Sequence, residues 1–493
     1  MTHRRPRLAL LPLVLVAAAA SARSGALDLE ASVRKLIGQR HWYGIYLKNQ
    51  KSGYALMEVV EATARDRKAV EFRMRAKVKI TALGKQQDMR IDESRVYLRS
   101  GPLHSVSSRF WTQTSDVAVT AVAQGDKLIL TAKVGALTKH KELPLPKETL
   151  ADSLAADRLI GPDAKIGDTA TVYQFEPTMQ KEFEGVLTLK ERKRITFNSV
   201  PTDVAVLQLK LPVLGVTSDM FVDAQGTALE LTVGGMFVLR LEPEKQAKDI
   251  HYSSDLIRLG CVHLDPRPTR VAQIREARFQ IWGIDDPALL LKDERQAWTP
   301  QPDGSHIVAI RVPSFDPAHA AALPIDRARF ATELAPTIFV QSDDPRVKAL
   351  AAKIVGDERN AYAAARKISR WLYTHLKKVG TAALSNAVET LTAMEGDCTE
   401  HTVLFVALAR AAGIPAREVA GVVAIERGEG LYYHAWPEVW VGQWVALDPT
   451  LGQDIADGTH IKFAEGGADQ VFRIVALFGR IKAKLLHAVH APQ

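Results

Sequence analysis

Three short stretches near the C-terminal end carry the residue types of a nucleophilic triad. Gly396-Asp397-Cys398-Thr399-Glu400-His401 places a cysteine at the head of an apolar run with helical spacing. Tyr432-Tyr433-His434-Ala435-Trp436 opens a strand-like run, and Ala446-Leu447-Asp448-Pro449-Thr450 ends the next one. In that order Cys398, His434 and Asp448 have the complementary chemistry of thiol catalysis. A thiolate attacks a carbonyl carbon, an imidazole takes and returns the proton, and a carboxylate fixes the imidazole's tautomer. A lone cysteine or histidine is an ordinary interior residue. The ordered set is what points to catalysis.

The elements that must hold these groups are legible around them. Asp397 followed by Glu400 is a capping-box spacing, which makes Asp397 the N-cap and Cys398 the first residue of a helix over 398–412. The positive end of a helix dipole favours a thiolate at that position. Gly413 followed by Pro415 is the expected helix exit. Short strands are expected over 421–425, 433–440 and 444–448. Side chains alternate along a strand, so His434 shares a face with Trp436, Glu438 and Trp440. Asp448 reaches that face if the loop is Val441-Gly442-Gln443, pairing Trp440 with Trp444, or if a bulge lies elsewhere in the hairpin. A two-residue Gly442-Gln443 turn would send Asp448 to the other side.

The blocks Gly396-Asp397-Cys398, Ala409 through Arg417, His434-Ala435-Trp436-Pro437-Glu438-Val439 and Trp444 through Thr450 resemble the transglutaminase-like core of exported bacterial proteins. The resemblance covers about 345–455, with Gly458-Thr459-His460-Ile461 similar to the tail of that module. It implies a papain-like fold and assigns the triad roles to Cys398, His434 and Asp448. Members of the family include proteases, deamidases, cross-linkers and inactive versions. The fold class expected is α+β, with a papain-like transglutaminase core at the C-terminus preceded by a large β-rich region and a small β-sandwich.

Upstream, residues 27–245 read as a β-rich domain of many short alternating strands, such as Lys127-Leu128-Ile129-Leu130-Thr131, interrupted by a helix-like piece over 144–160. A large curved sheet or barrel-like module is expected there. Residues 250–340 alternate again, in Arg278-Phe279-Gln280-Ile281-Trp282 and His306 through Val312, and suggest a small Ig-like sandwich. From 343 onward the texture becomes helical, with Ala361, Ala364, Ala365, Ile368, Trp371 and Leu372 at helical spacing; 343–493 is the transglutaminase-like domain.

Arg4, Arg5 and Arg7, the apolar run 8–20 and Ala20-Ser21-Ala22 read as a signal peptide over 1–22, giving a periplasmic or secreted protein with no later transmembrane segment. A net charge of +8 over 493 residues, with no basic-aromatic patch, is not a nucleic-acid signature. Only two cysteines exist, Cys261 and Cys398, and they are expected to stay unbridged because Cys398 is needed as a thiol. No metal motif is present, and no cofactor is expected. The expected substrate is a peptide or protein, cleaved or transferred at a peptide or isopeptide amide bond through a Cys398 thioester. Water and a lysine amine are both open as acyl acceptors. The other class of reading is a protein-binding or scaffold protein of the envelope, with the papain-like module auxiliary or inactive.

Overall fold

The computed structural model describes residues 29–47, 49–82, 85–113, 115–135, 137–234, 237–250, 254–255, 260–380, 386–467 and 472–492. The expected signal peptide, 1–22, lies outside them. The chain divides into two compact units, one running to Ser254 and the other from Asp255 onward.

The first unit is one long antiparallel sheet built from two meanders. From Arg40–Leu47 successive strands run outward to Leu137–Pro144. The second meander runs from Thr169–Glu176 to Phe237–Leu241, whose pairing with Arg40–Leu47 joins the two. Strict alternation produces this. Val216–Asp223 alternates buried and half-buried at every position, so one face of the sheet is core. Two-residue turns set the registers. Arg65-Asp66 and Asn198-Ser199 both have positive φ, the type I′ geometry that matches strand twist. Short helices at Leu150–Ser153 and Ala155–Ile160 occupy the expected interruption and pack on the first strands of the second meander. Inside lies a buried charged cluster. Arg95 donates to Glu93, Glu148 and the Phe175 carbonyl, and Glu176 accepts from the Thr178 amide and hydroxyl.

The second unit contains helices Pro345–Val355, Ala361–His375, Ala387–Ala393 and Cys398–Ala411, and a sheet in which Gly430–Trp440 pairs with Ala416–Ala424, which pairs with Ile461–Gly466. Val262–His263 and Trp444–Ala446 also pair with Gly430–Trp440. The region 250–340, expected as a small sandwich, contributes Ile274–Trp282, Gln296–Pro300 and His306–Arg311 to a four-stranded sheet completed by the C-terminal strand Lys482–His490. It therefore does not close on itself. Ile274–Trp282 has one partner close in sequence and one about 200 residues away, a pairing that local alternation cannot reveal.

The Cys398–Ala411 helix is buried on nearly every side and packs on the Gly430–Trp440 strand as well as on the three other helices named. It ends in a Schellman motif. Gly413, at φ 80°, donates to Arg410 O at 3.0 Å, and Ile414 donates to Ala409 O at 2.9 Å. Among the described residues no helix is long and apolar enough to cross a membrane.

Candidate active site

Cys398 stands at the first position of its helix, fully buried. The capping box read from the spacing is present. Asp397 Oδ1 accepts the Thr399 N–H at 3.0 Å, and the Asp397 N–H donates to Glu400 Oε2 at 2.8 Å. Gly396 makes this closure possible, because a Cβ there would lie 2.2 Å from Glu400 Cβ. Burial, followed by the adjacent Glu400 carboxylate, pushes the Asp397 carboxyl well above its usual range.

His434 and Asp448 are in direct contact. His434 Nε2–H donates to Asp448 Oδ2 at 2.7 Å, with both side chains wholly buried. The hairpin explains how. Its connection is the three-residue loop Val441-Gly442-Gln443, with Trp440 opposite Trp444 and Gly442 at φ 112°. This is the parity that carries Asp448 onto the His434 face. The carboxylate is fixed further by the Thr450 and Leu451 N–H groups, each 2.8 Å from Asp448 Oδ1. Its loop is tied to the Ala361–His375 helix, where Arg366 and Arg370 pair with Asp454. Burial raises the Asp448 carboxyl, but the attraction of His434, and then of His460, outweighs it and holds the group well below the usual carboxylate range.

His434 Nδ1 is buried without a hydrogen-bond partner. With Nε2–H committed to Asp448, Nδ1 carries the lone pair, the tautomer a general base needs. His434 lies opposite Gly421 in the neighbouring strand, where a Cβ would fall 1.9 Å from Ile461 O and 2.7 Å from Trp436 Cη2. Only glycine allows that approach.

Two further histidines enter the site, and neither was assigned a role by the sequence reading. His401 sits one turn along from Cys398, on the same helical face. Its Nδ1–H donates to Asp397 O at 2.6 Å, and its buried Nε2 has no partner. Burial lowers it to about 4, against weaker opposing contributions from the Asp397 carbonyl and the Glu400 and Asp448 charges. Helical spacing from Cys398 was the available signal. His460 contacts Asp448 Oδ2 through Nε2 at 3.1 Å, and no local pattern announces this.

Neither cysteine is in a disulfide; Cys398 is buried and Cys261 half-buried. His434, Asp448 and His460 offer atoms close enough together to surround a cation, and so do Cys261, His263 and Glu429. In the first group His434 Nε2 and His460 Nε2 both approach Asp448 Oδ2 at hydrogen-bond distance, 2.7 and 3.1 Å. A cavity of about 410 Å³ opens toward the far end of the His434 strand, lined by Arg329, Arg417, Glu438, Trp440 and Trp444 among others.

Residues 348–449 match the transglutaminase-like superfamily core. This segment is a transglutaminase-like domain, carried here at the end of a largely β chain. The chain is 28% identical over 183 residues to the uncharacterised protein Rv2569c of Mycobacterium tuberculosis, covering 34% of this chain and 57% of that one. It is 36% identical over 84 residues to an uncharacterised Haemophilus influenzae protein, covering 16% of this chain and 23% of the relative. It thus spans only part of the relatives it matches. Among solved structures it is similar to a proposed cysteine protease from Cytophaga hutchinsonii, at 19% identity and TM-score 0.29, over 44% of this chain and 87% of the other. A proposed protease from Parabacteroides distasonis is similar at 10% identity and TM-score 0.20, over 83% of this chain and 68% of the other.

Proposed function

We propose that this protein is an exported thiol hydrolase or acyltransferase acting at peptide or isopeptide amide bonds. The observation that carries the reading is the buried His434–Asp448 contact at 2.7 Å, with Nδ1 left as the basic nitrogen, in a unit whose helix presents Cys398 at its N-terminus. In this mechanism Nδ1 takes the Cys398 proton and the thiolate attacks the amide carbonyl. The imidazolium then protonates the leaving amine, and the Cys398 thioester passes its acyl group to water or to an amine. Asp448 keeps the imidazole in the reactive tautomer and balances its charge. The periplasmic or secreted location belongs to the same proposal and is motivated by the N-terminal arginines and the apolar run after them.

A thiol-directed acylating probe tests the enzyme reading. Labelling should map to Cys398, persist in Cys261→Ser and vanish in Cys398→Ala and in His434→Ala. Equal labelling of Cys261 and Cys398, with no dependence on His434, would instead favour a binding protein with an inactive module.

A further inference from the structure

We propose that His460 is a charged positioning residue of this site: held as an imidazolium between Asp448 and Asp457, it fixes the Asp448 carboxylate and offsets part of that carboxylate's pull on His434. The inference rests on the thiol-enzyme reading and adds a fourth group to the triad.

The hydrogen-bond geometry is the main argument. His460 Nε2 lies 3.1 Å from Asp448 Oδ2, and Nδ1 lies 3.2 Å from Asp457 Oδ1. Among the described residues, every other polar contact of the two carboxylates is a donor pointing at them. Asp448 Oδ2 receives His434 Nε2–H, and its Oδ1 receives the Thr450 and Leu451 N–H groups. Asp457 Oδ1 receives the Thr459 N–H at 2.8 Å and O–H at 2.6 Å, and its Oδ2 receives Gln453 Nε2–H at 2.7 Å. Both carboxylates are therefore acceptors. A neutral imidazole can donate from one nitrogen only, whereas His460 faces an acceptor at each. Its side chain is wholly buried, so water does not replace either bond. The ring is also braced edge-on against Trp436, with centroids 5.0 Å apart.

The charges around it agree. Burial pushes the His460 imidazole down, but the attraction of Asp457, joined by Asp448, outweighs it and raises the group above the ordinary histidine value. The opposing cations are His434, when protonated, with ring centroids 6.0 Å apart, and Arg295, which donates to the carbonyls of Ala456 and Asp457. Asp448, Asp457 and the His460 imidazolium together carry one negative charge, which a single proton on His434 neutralises. Without the His460 charge, two carboxylates would act on His434 with Arg295 as the remaining cation beside Asp457. Unit charges about 6 Å apart in a protein interior shift a titration by roughly one to two pH units.

The test uses the full chain labelled with ¹⁵N-histidine, as wild type, Asp457→Asn and His460→Gln, with ring nitrogens followed against pH. His460 should show both nitrogens protonated at pH 7 in the wild type and should lose its proton at lower pH in Asp457→Asn. In His460→Gln, the His434 ring should hold its proton to a pH higher by about one to two units. With Nδ1 as the base, the acid limb of Cys398-dependent labelling should move up in pH with it. A neutral His460 at pH 7 would overturn the proposal, as would a His434 titration unchanged in His460→Gln. Should His460→Gln not fold, the Asp457→Asn shift decides. Failure of the thiol-enzyme reading would appear separately, as labelling that does not depend on Cys398, while the histidine resonances still report the charge state.

Discussion

At the residue scale the site is organised around one carboxylate. Asp448 accepts His434 and His460 on one oxygen and two backbone N–H groups on the other, so both of its oxygens are engaged. Asp448→Asn should fold and should lower kcat by about 10³- to 10⁴-fold, because the amide can present either an oxygen or an NH₂ group to His434 and no longer fixes its tautomer. Steady-state turnover, or the rate of probe labelling, measures this. The substitution also has a pH signature. A carboxyl held below its unfolded value contributes stability that is present above that value and lost as pH falls through the folded one. The melting-temperature gap between wild type and Asp448→Asn should therefore hold through mild acid and close on that side only in strong acid, and should narrow on the alkaline side as His460 gives up the proton that Asp448 attracts.

At the element scale two backbone features set the positions of His434 and Asp448. The loop Val441-Gly442-Gln443 decides which face receives Asp448. Deleting Gln443 would convert it to a two-residue turn and rotate the following side chains to the opposite face. Activity should fall to the Cys398→Ala level, and the His434–Asp448 contact should be lost from the histidine spectrum. Gly421 fixes how closely the Ile461–Gly466 strand and Trp436 approach behind His434. Gly421→Ala should destabilise the C-terminal unit by about 1–3 kcal/mol through overpacking against backbone, measured by denaturant unfolding. A variant as stable as wild type would mean the strand shifts freely, and the close approach would then be irrelevant to the site.

At the scale of the whole molecule, two units with different interiors share one chain. The C-terminal unit buries charges at the site and also elsewhere, as in the Lys462–Glu438 pair, and the N-terminal unit buries an ionic cluster within a sheet. Burial, reinforced by the neighbouring Glu93 carboxylate, pushes Glu176 up to about 7. A carboxyl raised in this way contributes stability that is fully present below its unfolded value near 4.3 and is lost as pH rises toward about 7. The N-terminal unit should therefore melt at falling temperature across that interval. Glu176→Gln, which keeps an acceptor for Thr178, should flatten the dependence and melt higher than wild type at about pH 8. Calorimetry over pH, following the transition of that unit, checks both. An unchanged slope in Glu176→Gln would assign the dependence to other groups.

Local chemistry determined much of this protein from the residues alone. The Asp397-to-Glu400 spacing specified the cap and the place of Cys398, and Gly413 specified the helix end. The parity of the His434 hairpin required one extra residue in a connection that the structure supplies as Val441-Gly442-Gln443. These are contacts between residues a few positions apart, so their types and spacing encode them. The tertiary structure decided what depends on chain segments meeting from afar. Lys482–His490 completes a sheet begun at Ile274, and Ile461 seals the space behind Gly421. His460 reaches Asp448 Oδ2 because the loop from Asp448 to His460 folds back on itself through Gln453 and Asp457. A histidine in a sequence shows neither its partners nor its burial, and both nitrogens of His460 acquire their meaning only when two carboxylates are brought against them.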